Sequence, residues 1–251
     1  EKSIAPIIES LCYGMKLLSF DIEISDVFEL RKYEDMDQYA PFHISLAATA
    51  IHNGEERVWY SEDEGRPALN MTQQRAHELL EYLDEMQQAG FMVCAWNGLS
   101  FDLKWIGHQA NDVALAARVA LKSYDPMFKF FNQAGFPISL AKVAEAMGIS
   151  QRKLMDGADA PKEWRAGNHQ KVMEYCLGDC QMTNLIVLAI QKTRETRWVT
   201  GRGSISAKPM PRFKPVKEVI QDPEPDQSWM DAPMPKLKFY EWVQEAVGVK
   251  A

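Results

Sequence analysis

Residues 15–24, Met-Lys-Leu-Leu-Ser-Phe-Asp-Ile-Glu-Ile, constrain this chain more than any other stretch. The apolar run reads as a buried strand, and Ser19, Asp21 and Glu23 alternate onto one of its faces. Two carboxylates therefore share a side and repel each other. Crowding ionised carboxylates in a partly buried place is costly unless a cation lies between them, and all-oxygen donors suit Mg²⁺ or Mn²⁺. The alternative is a solvated strand end.

The pattern that follows predicts a layered α/β protein. Residues 43–52 and 57–61 read as two strands joined by a turn at Asn53-Gly54. Thr72 caps a helix running to Gln88, with Ala76, Leu79, Leu80, Leu83 and Met86 at helical spacing before Gly90 stops it. Residues 91–96 read as another strand, and Asn97-Gly98-Leu99-Ser100 turns the chain into a helix near Phe101. Strand, helix, strand, helix is the order of α/β folds. Helices continue to residue 200, the longest over 168–197 with Met173, Cys176, Cys180, Thr183, Ile186, Val187 and Ile190 as its apolar stripe.

Composition changes after residue 200, because seven of the thirteen prolines fall within 209–235. That stretch reads as an extended connector laid over the domain, followed by a short amphipathic helix over 236–247. The expected organisation is a domain over 15–200, a proline-rich basic extension over 201–251, and an N-terminal extension over 1–14. Met15 opens a segment that reads like a natural start, and no signal peptide is expected. With 46% hydrophobic and 25% charged residues the chain is globular, and no apolar run is long enough to suggest a membrane partner. Cys12, Cys94, Cys176 and Cys180 form no C-x-x-C pair, so a reducing compartment such as the cytoplasm is expected. Cys176 and Cys180 lie one helical turn apart, but no second Cys or His pair lies nearby to complete a soft metal site.

The net charge is −7, which argues against a protein that merely coats nucleic acid with a basic surface. The charge is also polarised: residues 1–100 carry −11, and residues 190–220 carry +6.

Two more acids join the strand pair. Asp102 lies in the first turn of its helix, where a carboxylate also suits the helix dipole. Asp179 lies four residues after Tyr175, so carboxylate and phenol share a helix face. Four acids on three elements, separated by credible strand-helix crossovers, outweigh the separate structural readings of each.

Phe20-Asp21-Ile22-Glu23, Asn97-Gly98-Leu99-Ser100-Phe101-Asp102 and Tyr175-Cys176-Leu177-Gly178-Asp179 resemble the three ordered motifs of the DEDD superfamily of 3′-to-5′ exonucleases, in its tyrosine (DEDDy) branch. Asp125-Pro126-Met127 and the run from Ser139 to Gly148 resemble the proofreading exonuclease module of family B DNA polymerases. The likeness covers residues 15–197. It implies a ribonuclease H-like fold, with a mixed five-stranded sheet flanked by helices and the first strand central. It also implies two divalent metal ions, Mg²⁺ or Mn²⁺. By that likeness Asp21, Glu23 and Asp179 hold one ion, Asp21 bridges to the second, Asp102 contacts the second through water, and Tyr175 orients the attacking water. A neutral tyrosine with an ordinary pKa near 10 is a poor base, so the metal does most of the activation.

Substrate contacts are less constrained. Asn97 either contacts the terminal nucleotide, as the likeness implies, or simply closes its turn. Phe101 either stacks on the terminal base or packs in the core, and Trp96 with Trp105 forms either a stacking platform or core. His108 and His169 read as structural or solvated. Arg197, Arg202, Lys208, Arg212 and Lys214 are the densest supply of cations for flanking phosphates. The expected activity is a stand-alone or recruited 3′-to-5′ exonuclease that releases nucleoside 5′-monophosphates. Its substrate is a nucleic acid with a free 3′ end, single-stranded, DNA or RNA undecided, and the C-terminal extension is open to a protein partner. The alternatives are a non-catalytic nucleic-acid-binding or partner-binding module and a ribonuclease H-like endonuclease.

Overall fold

The computed structural model describes residues 15–29, 34, 36–149 and 155–248. The 1–14 extension, Cys12 and the last three residues of the C-terminal extension lie outside the described residues. Strand β1 (Leu17–Ile24) pairs antiparallel with β2 (Ile44–Ile51), which pairs antiparallel with β3 (Glu56–Tyr60). A two-residue ladder, β4 (Glu62–Asp63) with β5 (Arg66–Pro67), leads to helix α1 (Gln73–Gln88). Strand β6 (Met92–Cys94) then pairs parallel with β1, giving the order β3-β2-β1-β6. Helices α2 (Asp102–Gln109), α3 (Val113–Lys122), α4 (Pro126–Ala134), α5 (Leu140–Ala146), α6 (Ala160–Arg165) and α7 (His169–Thr193) follow. The hairpin β7 (Glu195–Val199) with β8 (Ile205–Pro209) and the short helices α8 (Val216–Gln221) and α9 (Glu241–Ala246) complete the chain.

The α/β class with a mixed, helix-flanked sheet is as expected, but the main sheet has four strands among the described residues, not five. At the fifth position Tyr124 makes a single parallel bridge to Cys94. The chain leaves the sheet there because Asp125 caps α4 through the amide of Phe128 at 2.9 Å, and Pro126, with its fixed φ, is already the first helical residue.

Both faces of β1 are covered. Leu18, Phe20, Ile22 and Ile24 pack in the core beneath α1 to α3, together with Ala47 of β2. The other face meets α7, where Leu46, Ala48 and Ala50 pack against Val172, Cys176 and Cys180. Small side chains on β2 let α7 come close enough for polar contacts with the sheet. Ser19 Oγ donates to Asn184 Oδ1 at 2.8 Å, Asn184 Nδ2 donates to the Ala50 carbonyl at 2.9 Å, and the Cys180 thiol reaches the Ala48 carbonyl at 3.3 Å. Cys176, Cys180 and Asn184 recur every four residues, one helical face laid along the sheet.

Helix α1 has the expected cap and core: Thr72 Oγ1 accepts from the Arg75 amide at 3.2 Å, and Ala76, Leu79, Leu80 and Leu83 are buried. Two other expectations are corrected. The long helix stops at Thr193, with Arg194 in the left-handed region at φ 60°, and Arg197 lies on a strand. Residues 195–199 supply β-branched and aromatic side chains, and Trp198 packs edge-on against Phe130 with centroids 5.0 Å apart. The 236–247 helix is instead a 3₁₀ turn, Lys236–Phe239, and α9, broken at Tyr240 where φ is −135°.

The C-terminal segment is built into the main core. Val216, Val219, Phe239, Tyr240, Trp242 and Val243 are buried there, and Trp242 Nε1 donates to the Leu99 carbonyl at 2.8 Å. Asp222 joins the segment to α4, accepting from the buried Lys129 at 3.2 Å and from Lys214. Buried Lys236 donates to the carbonyls of Ile220 at 3.1 Å and Asp222 at 2.7 Å. No helix of the described residues is long and apolar enough to cross a membrane.

Candidate active site

Strand β6 pairs with β1 only as far as Ser19, which leaves the second half of β1 without a strand on that side. Asp102, at the start of α2, fills the gap: its Oδ1 accepts from the Ile22 amide at 3.1 Å. That bond satisfies a backbone donor and delivers a third carboxylate to the end of β1 that carries Asp21 and Glu23. Asp179 comes from α7 on the opposite face of the sheet and accepts a hydrogen bond from the Tyr175 phenol. The structure thus brings together all five residues expected to carry the chemistry: Asp21, Glu23, Asp102, Tyr175 and Asp179.

The electrostatics are those of a cluster lacking a counter-charge. Asp21 is held well above the usual carboxylate range, first by burial and then by Asp102, Glu23 and Asp179. Glu23, 8% exposed, is raised by burial and then by Asp179 and Asp102. Burial lifts Asp102 to about 7 and Asp179 to about 6. None of the four has an ion-pair partner among the described residues, and the charges that raise them are those of other acids. Oxygen donors crowded in this way fit hard divalent cations. The Tyr175 phenol is pushed up by burial and then by Asp179, Glu23 and Asp21, so it is a neutral donor.

Three features of the site escaped the sequence reading. Cys176 places its thiol 3.4 Å from Asp21 Oδ2, and its sulfur lies within 4.8 Å of ligand atoms of Asp21 and Glu23. Burial and then the neighbouring Asp21 push this thiol up, which keeps it a protonated donor to Asp21. Asp125 is the second: besides capping α4, it accepts from the amides of Asn97 at 3.1 Å and Leu99 at 3.0 Å, pinning the turn that leads into Asp102. These bonds reach across 26 and 28 residues and have no local signal. Third, a Cβ on Gly157 would lie 3.3 Å from the Tyr175 hydroxyl, so a turn of backbone lies against the phenol.

Asn97 occupies the left-handed region at φ 66° and accepts from Ser100 Oγ at 2.7 Å, so it closes the turn while also lining a cavity with Phe101 and Trp96. Trp105 is core, edge-on to Phe42 at 4.9 Å, and forms no platform with Trp96. His108 packs against Trp105 and His169 against Trp164 with tilted rings, outside the cluster. Arg197, Arg202 and Lys208 lie on the β7–β8 hairpin, with Arg212 just beyond it, and none of them is among the charges acting on the four acids. Arg197 pairs with Glu195, and Arg212 lies 3.6 Å from Glu218. Lys214 is committed to Asp222 and is withdrawn from the cations available to substrate.

The chain matches the RNase_H_2 family of the RNase_H superfamily over residues 56–191, more than half its length, and belongs to that superfamily of nucleases, which generally use divalent metals. The matched segment contains Asp102, Tyr175 and Asp179 and begins after Asp21 and Glu23; the central position of β1 joins the two sets. Among solved structures the chain is similar to the family B DNA polymerase from the hyperthermophilic archaeon Pyrobaculum calidifontis, at 16% identity and a TM-score of 0.47. That similarity covers 71% of this chain and 24% of the polymerase, so this chain spans about a quarter of the polymerase's length. No curated protein matches.

Proposed function

We propose that this protein is a metal-dependent 3′-to-5′ exonuclease of the DEDDy type, acting on single strands and releasing nucleoside 5′-monophosphates. The observation that carries the reading is the convergence of four uncompensated carboxylates from β1, α2 and α7, one of them bonded to the neutral phenol of Tyr175. Asp21, Glu23 and Asp179 would hold one divalent ion, and Asp21 with Asp102 a second, Mg²⁺ or Mn²⁺. Ions bound there lower the pKa of water and stabilise charge on a departing 3′ oxygen. The chain's own groups do the rest. Cys176 orients Asp21, Asp125 fixes the turn before Asp102, and Tyr175 directs a water by hydrogen bonding while keeping its own proton.

The test is a product ladder. A 5′-labelled strand with Mg²⁺ or Mn²⁺ should shorten stepwise, with no early labelled mononucleotide; immediate release of that mononucleotide would reverse the polarity. A circular single strand should stay intact, whereas its cleavage would favour a ribonuclease H-like endonuclease, and no cleavage of any strand a non-catalytic binding module. Tyr175→Phe should cost roughly 10- to 1000-fold in turnover, on the order of 1.4 to 4 kcal/mol, and less than loss of Asp21. A variant as fast as wild type would remove Tyr175 from the mechanism.

The hairpin offers cations for flanking phosphates. If Arg197, Arg202, Lys208 and Arg212 supply about three contacts to a single strand, replacing all four with Gln should flatten the dependence of log K_obs on log[salt] by roughly two units, at about 0.7 per contact. An unchanged slope would show that these charges only solvate the hairpin and would turn the search to Lys104 and Lys122.

A further inference from the structure

Of the seven tryptophans of the chain, six are buried or half-buried, and Trp229 stands 61% exposed. Its ring is nonetheless held in place. Nε1 donates to the Asp226 carbonyl at 3.1 Å, and the ring meets Phe136 edge-on with centroids 6.0 Å apart. The turn that carries it is fixed to the end of α4: Gln227 Nε2 donates to the Gly135 carbonyl at 2.6 Å, and a Cβ on Gly135 would lie 2.9 Å from the Asp226 carbonyl. Phe136 in turn packs against Trp198 of β7 with centroids 5.9 Å apart. Lys208 shares that face of the hairpin, because it pairs with Thr196, two residues from Trp198. The Asp226 carboxylate is lowered first by its hydrogen bonds from Ser228 and also by Lys208, so the lysine lies near the turn of Trp229. Phe136 is followed by Pro137 and Ile138, which line the cavity with Asn97 and Phe101.

We infer that Trp229 is a stacking platform for a base of a single strand upstream of its 3′ end, and that Lys208 contacts a phosphate beside it. The inference rests on the exonuclease reading for its direction: with the 3′ end at the acid cluster, a strand that passes Pro137 and Phe136 reaches Trp229 with residues on its 5′ side. The ring forgoes burial while its orientation is fixed, the combination a stacking surface needs. Such a surface takes any base, because every base has a π-face. The nearest acid is turned aside, since the Asp226 carboxylate accepts from the Ser228 amide at 3.1 Å and from Ser228 Oγ at 2.7 Å. An exposed indole flanked by the cations of the hairpin fits a polyanion that carries flat rings, rather than a peptide or a second copy of the chain. Trp229 and Lys208 both lie outside residues 56–191, the part of the chain that matches the superfamily.

The test compares two 5′-labelled single strands of equal length, an oligothymidylate and its fully abasic counterpart, by fluorescence polarisation in EDTA at low ionic strength. Matched phosphates keep the ionic attraction equal, so a difference between the strands reports the bases. Trp229→Ala should weaken binding of the oligothymidylate roughly 5- to 100-fold, the range for loss of one base-aromatic stack, and change binding of the abasic strand by less than about threefold. Trp229→Phe should recover most of the loss. Lys208→Gln should weaken both strands alike and flatten the salt dependence by about 0.7. Tryptophan emission of the wild type should be quenched as unlabelled oligothymidylate binds, and Trp229→Phe should remove most of that quenching. Equal effects of Trp229→Ala on the two strands, no effect on either, wild-type affinity for neither, or unquenched emission with the strand bound overturns the inference, and Lys208→Gln without effect removes the phosphate contact. If Trp229→Ala does not fold, the quenching comparison with Trp229→Phe decides. The ladder assay separates the two readings. Selective loss of the oligothymidylate without hydrolysis sinks the exonuclease and leaves the platform, and hydrolysis without that loss does the reverse.

Discussion

Asp21→Asn should lower turnover by several orders of magnitude while the protein still binds a single strand. The side chain sits where the charges of Glu23, Asp102 and Asp179 act together, so an amide there removes the donor common to both proposed ions. Without divalent metal the same change relieves repulsion, and thermal stability in EDTA near pH 8 should rise by a few degrees. Asp102 at about 7 and Asp179 at about 6 fix the sign of the pH dependence, since both lie above the ordinary value of 3.8. A carboxylate raised on folding contributes stability that is complete below its unfolded pKa and is lost as pH rises through its folded pKa. Metal-free protein should therefore be most stable below about pH 4 as far as these groups are concerned, and should lose on the order of several kcal/mol of their contribution by about pH 8. Saturating Mg²⁺ should restore much of that loss. Calorimetric melts across this range, with and without EDTA, are the measurement. Turnover within tenfold of wild type would sink the metal-binding role, and a lower melting temperature for metal-free Asp21→Asn would show that Asp21 is not under repulsion.

Asp125→Ala should be the most destabilising single change near the site. Its two oxygens accept from the amides of Asn97, Leu99 and Phe128 at 3.1, 3.0 and 2.9 Å, and the side chain is 3% exposed. Burial raises it to about 6 even with these bonds, so the site strains toward protonation while the bonds hold the geometry. Three donors left without an acceptor cost roughly 1 kcal/mol or more each, which implies a loss of about 3 kcal/mol or more and a melting temperature lower by some 6 to 12 °C. Because the released turn leads directly into Asp102, turnover measured below the melting range should fall at least tenfold as well. A variant that melts with wild type would show that the backbone holds the turn by itself.

Much of this was legible along the chain because it rests on local pattern. Alternation in residues 17–24 and the four-residue spacing of Tyr175 and Asp179 follow from strand and helix geometry, and both appear as expected. Thr72 and Gly90 bound α1 for reasons held within one turn. Errors fell where tertiary packing chose between local options. The long helix was expected to run to Arg197, yet residues 195–199 form a strand from which Trp198 packs against Phe130. Tyr124 stayed a single bridge because the next residue was already capping a helix. What the sequence by itself determined is which residues carry charge and which face of its own element each occupies. Only the tertiary structure decided that β6 stops at Cys94, so that Asp102 takes the free Ile22 amide, that the thiol of Cys176 lies against Asp21, and that Met234, Lys238 and Phe239 return to the cavity beside Phe101. These are contacts between residues tens to more than a hundred positions apart, and their energies come from burial and from satisfying backbone donors, which no local pattern encodes.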